Sequence, residues 1–135
     1  MKEYLLREDV KLFCVTAKSF PAGIQDAFIT LEKDLSKEGR TFYGISYGTS
    51  TGEIIYRASV SEKYDGEAQD FEFESYTISK GKYIYETVID YMNNLNRIGE
   101  TFRQLQSHPQ LDKNGACIEW YKSDKEVMCM VKLIS

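Results

Sequence analysis

Glu119 is the residue of this sequence whose side chain is the strongest candidate for a role in ligand binding or catalysis. The carboxylate lies between Ile118 and Trp120, in the middle of a strand-like segment where acidic residues are disfavoured. If this face of the strand is wet, Glu119 is an ordinary exposed residue. If Glu119 lies at the floor of a cleft, burying its charge costs several kcal/mol, so the site needs a cation or a hydrogen-bond donor as partner. Tyrosine rings beside a bound cation would add about 0.5–2 kcal/mol each.

The sequence gives little support for a catalytic triad, a metal site or a nucleophilic cysteine. The single histidine, His108, precedes Pro109 and is expected at the surface near a helix end, which argues against a Ser-His-Asp triad or a multi-histidine metal site. Cys14, Cys117 and Cys129 lack metal-ligand spacing, and their odd number favours a reduced, cytoplasmic setting. We therefore expect no metal and no cofactor. Cys117 has no base near it in sequence, so we expect no nucleophilic role for it.

Composition narrows the class of protein. Among the 135 residues, 17 Lys and Arg stand against 21 Asp and Glu, a net charge of -4, which argues against direct nucleic-acid binding. No apolar run approaches the roughly 20 residues that span a bilayer, and the start of the chain is too charged for a signal peptide. Aromatic residues make up 13% of the chain, with ten tyrosines, which indicates either an aromatic core or an aromatic-lined cavity.

The elements that must position Glu119 follow from hydrophobic periodicity and turn residues. A loop is predicted at 62–69, where charged residues surround Gly66. Two helices are predicted, one in a segment that opens at Ser19–Pro21 and ends near Gly39 and one at 94–107. Strands are predicted at 10–16, 42–47, 53–61, 71–78, 82–89, 116–121 and 126–134.

The order strand, helix, strand, strand occurs twice, and the two copies can be aligned. The helix positions Ile24 and Phe28 align with Ile98 and Phe102, and an offset smaller by one aligns the strand residue Ser46 with Glu119. No proline- or glycine-rich linker separates the copies. We therefore predict one α+β domain over residues 1–135, built from two fused β-α-β-β halves, about 1–68 and 69–135.

Alternation along the strands divides the last hairpin into two faces. With the turn centred at 123–124, Glu119 and Tyr121 are predicted to share one face with Met128 and Met130, which form either an adaptable apolar wall or plain core packing. Phe42 takes a matching position in the first half. The opposite face, predicted to pack beneath the helices, carries Ile118, Trp120, Val127, Cys129, Val131 and Leu133. Tyr91 is predicted at the surface or at the rim of a site.

Two motifs in the second half resemble those of the GyrI-like family, the effector-binding domains of AraC- and MerR-type regulators and their stand-alone relatives. The family patterns "tIpaGkY" and "iEiY" correspond to TISKGKY at 77–83 and IEWY at 118–121, with Ser79 in place of the usual proline. The resemblance covers essentially the whole chain. It implies an antiparallel sheet with two main helices, and two halves related by a pseudo-twofold axis with a ligand cleft between them.

The resemblance also implies roles for single residues. Glu119 matches the glutamate that reads cationic, lipophilic compounds in multidrug-sensing members of the family, and Tyr121 and Tyr83 match aromatic positions of the two motifs. No residues before Met1 supply a helix-turn-helix. We therefore expect a bacterial, cytoplasmic, stand-alone binding protein for cationic or aromatic small molecules, in drug sensing or sequestration, without direct contact to DNA or membranes.

Two other functions remain open at this stage. Some GyrI-like proteins resemble hydrolases of cyclopropane-containing genotoxins, in which Glu119 would activate water and Tyr121 would donate a proton. The third possibility is a protein-interaction module such as a gyrase modulator. Nothing in the sequence favours turnover over binding, and no interface signature supports a protein partner.

Overall fold

Residues 1–33, 35–36 and 38–134 are described in the computed structural model, and the chain divides into two units. The central unit comprises Val10–Ile78, and the terminal unit comprises Met1–Asp9 together with the chain from Ser79 onwards. Residues 34 and 37, which fall within the predicted first helix, lie outside the described part.

Eight strands and three helices are assigned within the described residues. A single 3-10 turn, Tyr91–Asn93, precedes the last helix. The helices are α1 (Ile24–Glu32), α2 (Glu67–Asp70) and α3 (Leu95–Leu105), and the strands are β1 (Lys2–Leu6), β2 (Val10–Thr16), β3 (Phe42–Gly48), β4 (Ile54–Ser61), β5 (Glu74–Ile78), β6 (Gly81–Ile89), β7 (Cys117–Tyr121) and β8 (Glu126–Lys132).

Both units are built on the same plan. In the central unit the strands lie in the order β3-β4-β2-β5, with α1 between β2 and β3 along the chain; in the terminal unit they lie in the order β7-β8-β6-β1, with α3 between β6 and β7. All of these strand pairs are antiparallel. The fold is therefore α+β, and each unit contains the predicted β-α-β-β order with one further strand.

The two hairpins also share one register. Ser46 pairs with Tyr56 in the central unit, and Glu119 pairs with Cys129 in the terminal unit. The offset along the chain from Ser46 to Glu119 equals the offset from Tyr56 to Cys129. The predicted repeat is therefore confirmed to the level of single paired residues.

The boundaries of the repeat differ from those predicted. The segment Met1–Asp9 belongs with the second half because β1, which periodicity did not reveal, pairs with β6. Residues 69–78 belong with the first half because β5 pairs with β2. The observed units thus replace the expected halves of about 1–68 and 69–135.

Two local predictions also need correction. Helix α1 ends at Glu32 rather than near Gly39, and beyond it the carbonyl oxygen of Ser36 accepts a hydrogen bond from Nε of Arg40. The predicted loop at 62–69 contains the start of α2, which follows Gly66 in the left-handed region at φ 92°.

Each helix covers one face of its own unit's sheet. In the terminal unit Phe102 and Leu105 of α3 pack on Val88, Val127 and other apolar strand residues. In the central unit Leu31 and Ala27 of α1 pack on Phe13, Ala58 and Val60. The predicted helix stripes therefore supply the two cores. No helix within the described residues is long and apolar enough to cross a membrane.

In the central unit Arg40 and Glu67 form a buried ion pair that stabilises the chain outside the sheet. The guanidinium of Arg40 donates to both carboxylate oxygens of Glu67 and to the carbonyl oxygen of Ser61, and it lies 5.5 Å from the ring centroid of Phe13. The backbone N–H of Lys63 donates to the same carboxylate. The charge of Glu67 is thus cancelled inside the unit that contains it.

Candidate functional site

Glu119 projects from β7 on the sheet face that α3 covers. Its cross-strand partner Cys129 belongs to the core that contains Phe102 and Leu105. Glu119 is only 9% exposed. Of the two alternatives for this residue, an exposed strand position and a buried carboxylate, the structure shows the buried one.

The hydroxyl of Tyr121 donates a hydrogen bond to Oε1 of Glu119 at 2.5 Å. The two residues lie two positions apart on β7, so their side chains emerge on the same face of the strand. An O–H donor this close to a carboxylate makes a charge-assisted hydrogen bond. The phenol thereby stabilises the charged form of the carboxylate.

Tyr91 extends this site from the 3-10 turn that precedes α3. Its ring centroid lies 5.4 Å from that of Tyr121, at an interplanar angle of 57°. The turn is held by Asp90, whose carboxylate accepts from the side chain of Asn93 and whose carbonyl oxygen accepts from that of Asn94. Burial, with a smaller contribution from the carboxylate of Asp124, raises the pKa of Tyr91, so its phenol stays neutral near pH 7.

The prediction of Tyr91 at the surface or at the rim of a site is compatible with its half-buried side chain, but the sequence did not reveal its contact with Tyr121. The available signal was the run Asp90 to Asn94, because Asp and Asn side chains that bond back to their own turn fix the local backbone. A tyrosine inside such a turn, directly before a helix, has a restricted orientation.

The two cysteines beside Glu119 have raised pKa values. Burial, together with the charge of Glu119, raises the pKa of Cys117 to about 11 and the pKa of Cys129 to about 12. The side-chain amide of Gln106, at the end of α3, donates to Sγ of Cys117 at 3.3 Å. Both thiols are protonated near pH 7, which agrees with the expectation that Cys117 is not a nucleophile.

The predicted division of the last hairpin into faces is wrong. Ile118 pairs with Met130 and Trp120 pairs with Met128, so these four side chains share the face opposite Glu119. The turn is centred at Asp124 rather than between Ser123 and Asp124, and a shift of this kind moves one strand's side chains to the other face. Met128 and Met130 therefore do not form a wall around Glu119.

Tyr83 and Phe42 are not brought to Glu119 within either unit. Tyr83 lies on the opposite face of the terminal sheet, where it is buried and donates its hydroxyl to the carbonyl oxygen of Ser79 at 2.6 Å. It therefore closes the turn of the TISKGKY motif. Phe42 belongs to the central unit, where it packs half-buried against the core that includes Phe13.

Trp120, predicted beneath the helices, belongs instead to an aromatic group on the opposite face. Its ring lies 5.8 Å from that of Tyr4, which in turn lies 6.3 Å from that of Tyr85. Nζ of Lys122 lies 3.3 Å from the Trp120 ring centroid. The face of this indole is thus already engaged by a cation of the chain itself.

Metal binding finds no support in the described part of the chain. No group of three or more His, Cys, Asp or Glu side chains there is arranged to hold a metal ion. Within the terminal unit the site contains the Glu119 carboxylate, the hydrogen-bonded Tyr121 phenol and the ring of Tyr91.

Fold and site together define a small α+β protein of two β-α-β-β units with a buried carboxylate–phenol pair in one of them. The sequence matches no protein-family model, and no curated protein matches it. Solved structures, in contrast, share the fold over nearly the whole chain.

Three of these structures show how far the similarity extends. An integron cassette protein, VCH_CASS2, from the mobile metagenome of Vibrio cholerae has a TM-score of 0.68 at 15% identity, covering 98% of this chain and 94% of its own. SAV2435 bound to tetraphenylphosphonium has a TM-score of 0.59 at 14% identity, with coverage of 98% and 94%. A candidate bacterial transcription regulation protein from Staphylococcus aureus MU50 has a TM-score of 0.56 at 13% identity, with coverage of 98% and 99%. At these identities the similarity establishes the fold alone.

Proposed function

We propose that this chain is a stand-alone small-molecule-binding protein of the GyrI-like kind, and that it binds lipophilic, aromatic cations through Glu119. The observation that carries the proposal is the buried Glu119 carboxylate, which the Tyr121 hydroxyl stabilises in its charged form. Its physiological role would be to sense or sequester such compounds.

Electrostatics favours a cation at this position. A unit charge about 4 Å from a carboxylate gains about 4 kcal/mol at the effective dielectric constant of a partly buried site. The Tyr121 hydroxyl contacts the carboxylate and the Tyr91 ring packs against that of Tyr121; each ring that faces the cation would add about 0.5–2 kcal/mol by cation–π contact. A permanently charged aromatic ligand would be stabilised both by its attraction to the carboxylate and by cation–π contact with the tyrosine rings.

The resemblance and the solved structures support the same ligand class. Glu119 lies in the IEWY segment at the place of the family's ligand-reading glutamate. SAV2435, which shares the fold, was solved with the lipophilic cation tetraphenylphosphonium bound. The proposed ligand contacts within the terminal unit are Glu119, Tyr121 and Tyr91, because Tyr83, Met128 and Met130 lie on the opposite face of the sheet.

Calorimetric titration with tetraphenylphosphonium tests this proposal. We expect saturable binding to the wild type and a loss of affinity of about 30-fold or more in Glu119→Gln, equivalent to about 2 kcal/mol. Glu126→Gln is the matched control, because it removes the same charge from the same hairpin at a partly exposed position outside the proposed contacts. Circular dichroism should show that both variants fold.

Two results would contradict the proposal. One is a wild type that shows no saturable binding. The other is a Glu119→Gln variant that binds as tightly as the wild type, or that loses no more affinity than Glu126→Gln.

A further inference from the structure

We infer that the central unit contains a separate binding site for carboxylate ligands, formed by Arg57 of β4 and Thr16 of β2. Both side chains lie on the sheet face opposite α1, because their neighbours along the strands pack in the core that α1 covers. The carboxylate of Glu74 occupies this site in the structure, where it acts as a tethered competitor of an external ligand. The inference goes beyond the proposed function and requires neither Glu119 nor a cationic ligand.

The site holds a carboxylate by donors from two neighbouring strands. Nη1 of Arg57 donates to Oε2 of Glu74 at 2.8 Å, and Oγ1 of Thr16 donates to Oε1 at 2.9 Å. Thr16 and Arg57 are directly paired between β2 and β4, so the pairing of the strands sets the spacing of their side chains. The two donors therefore reach the two different oxygens of a single carboxylate group.

Arg57 is held in position by a residue other than Glu74. Nε and Nη2 of its guanidinium donate to the hydroxyl of Tyr47 at 3.3 and 3.0 Å, and the guanidinium carbon lies 5.8 Å from the centroid of the Tyr47 ring. The Arg57 side chain is only 21% exposed. Its orientation therefore does not depend on the carboxylate that it binds.

Two N–H groups of Arg57 are available to a ligand. Of the five N–H groups of a guanidinium, Tyr47 and Glu74 accept three, and the other two, one on each Nη, have no acceptor among the described residues. A planar carboxylate can accept from both Nη atoms at once, whereas Glu74 accepts only from Nη1. An external carboxylate can thus bind Arg57 more completely than Glu74 does.

Glu74 is the exchangeable partner of this ion pair. It begins β5, which pairs with β2 at the edge of the central sheet, and its side chain is 55% exposed. Ion pairs with such an exposed member are weak. The other Arg–Glu pair of this unit, Arg40–Glu67, is different because both of its side chains are buried. Fixed donors and an exposed acceptor indicate a binding site rather than a structural ion pair.

An NMR titration with sodium benzoate at constant ionic strength tests the inference, with the backbone amides of Thr16 and Arg57 as reporters. We expect weak binding to the wild type and about tenfold tighter binding to Glu74→Ala, because a tethered competitor acts at a high effective concentration. Benzamide, which has the shape of benzoate but no charge, should bind to neither protein.

Glu53→Ala is the matched control for charge. It removes the same charge from an exposed position of the same unit, so it should bind benzoate like the wild type. Arg57→Lys in the Glu74→Ala background keeps the positive charge but loses the planar pair of donors. It should lose the affinity that Glu74→Ala gained. Circular dichroism should show that the variants fold, and Glu74→Gln replaces Glu74→Ala if the latter does not.

Three results would overturn the inference. The first is a Glu74→Ala variant that binds benzoate no more tightly than Glu53→Ala. The second is an Arg57→Lys, Glu74→Ala protein that binds as tightly as Glu74→Ala alone. The third is tighter binding of inorganic phosphate than of benzoate, which would contradict the assigned ligand class. None of them affects the proposed function, which is tested with a cation on Glu119→Gln.

Discussion

Among the described residues two glutamates are buried, one in each unit, and their carboxylates are stabilised in different ways. Glu67 of the central unit, 2% exposed, is bonded through both oxygens to the guanidinium of Arg40. Glu119 of the terminal unit accepts the neutral hydroxyl of Tyr121. The Arg40 guanidinium is a cationic partner that cancels the charge of Glu67, whereas the Tyr121 hydroxyl is a neutral donor. Burial of a carboxylate therefore does not by itself identify a binding site, and the chemistry of its partner is more informative.

The repeat allows the two units to be compared at equivalent strand positions. Ser46 and Tyr56 occupy in the central unit the places of Glu119 and Cys129. Tyr56 is fully buried and packs against Phe28 of α1 at 6.3 Å between ring centroids. In the terminal unit a small thiol replaces this ring and a carboxylate replaces the serine. The same scaffold thus supports an aromatic core in one unit and a charged site in the other.

The largest effect that we expect is on folding rather than on binding. Glu67→Gln should lower the free energy of unfolding by about 3 kcal/mol, because it leaves the Arg40 guanidinium buried beside a neutral amide. Urea unfolding followed by circular dichroism measures this change. Glu53→Gln, at an exposed position of the same unit, is the control and should stay within about 0.5 kcal/mol of the wild type.

The comparison of the two glutamates fails if both variants behave alike. Glu67→Gln should retain tetraphenylphosphonium binding under conditions in which it is folded, whereas Glu119→Gln should lose it. A Glu67→Gln protein as stable as the wild type, or one that loses binding while folded, would contradict the purely structural role of the ion pair.

Acidification should reveal the same ion pair. Hydrogen bonds from Arg40 lower the pKa of Glu67 in the folded state, so its contribution to stability is fully present above the ordinary glutamate pKa of about 4.3. That contribution is lost as the pH falls through the lower, folded-state value. The wild type should therefore lose more stability than Glu67→Gln between about pH 6 and the onset of acid unfolding, as measured by urea titrations at several pH values. Equal losses would contradict this assignment.

The smallest effect concerns Tyr91. Replacing it by leucine keeps an apolar side chain but removes the ring that packs on Tyr121, so tetraphenylphosphonium affinity should fall about threefold, in line with one exposed cation–π contact. Calorimetry on folded Tyr91→Leu measures the change. Ile29→Ser, which alters an exposed apolar residue of α1, should have no effect on binding. An unchanged affinity in Tyr91→Leu would remove Tyr91 from the site.

Local patterns in the sequence predicted most of the elements. The stripe of Ile98, Phe102 and Leu105 located α3, and the alignment of the two copies located both hairpins, because these patterns depend only on neighbouring residues and on the repeat. Glu119 stood out because a carboxylate in a strand of apolar residues is unusual. Its partner Tyr121 followed from its position two places further along the same strand.

The failures have a different physical origin. Whether Met128 or Cys129 shares a face with Glu119 depends on a single residue in the turn after Tyr121, and alternation along one strand does not fix that register. β1 was missed because a short segment of mixed polarity becomes a strand only through pairing with β6. The contact between Tyr91 and Tyr121 was not predicted for the same reason, since it joins parts of the chain that are far apart in sequence.

A structure of the protein crystallised with tetraphenylphosphonium tests the central claim most directly. The account predicts the phosphonium within about 6 Å of the Tyr121 ring centroid, beside the Glu119 carboxylate on the sheet face that α3 covers. It would be contradicted by a ligand that leaves Glu119 untouched and lies instead against Trp120 and Tyr4 on the opposite face.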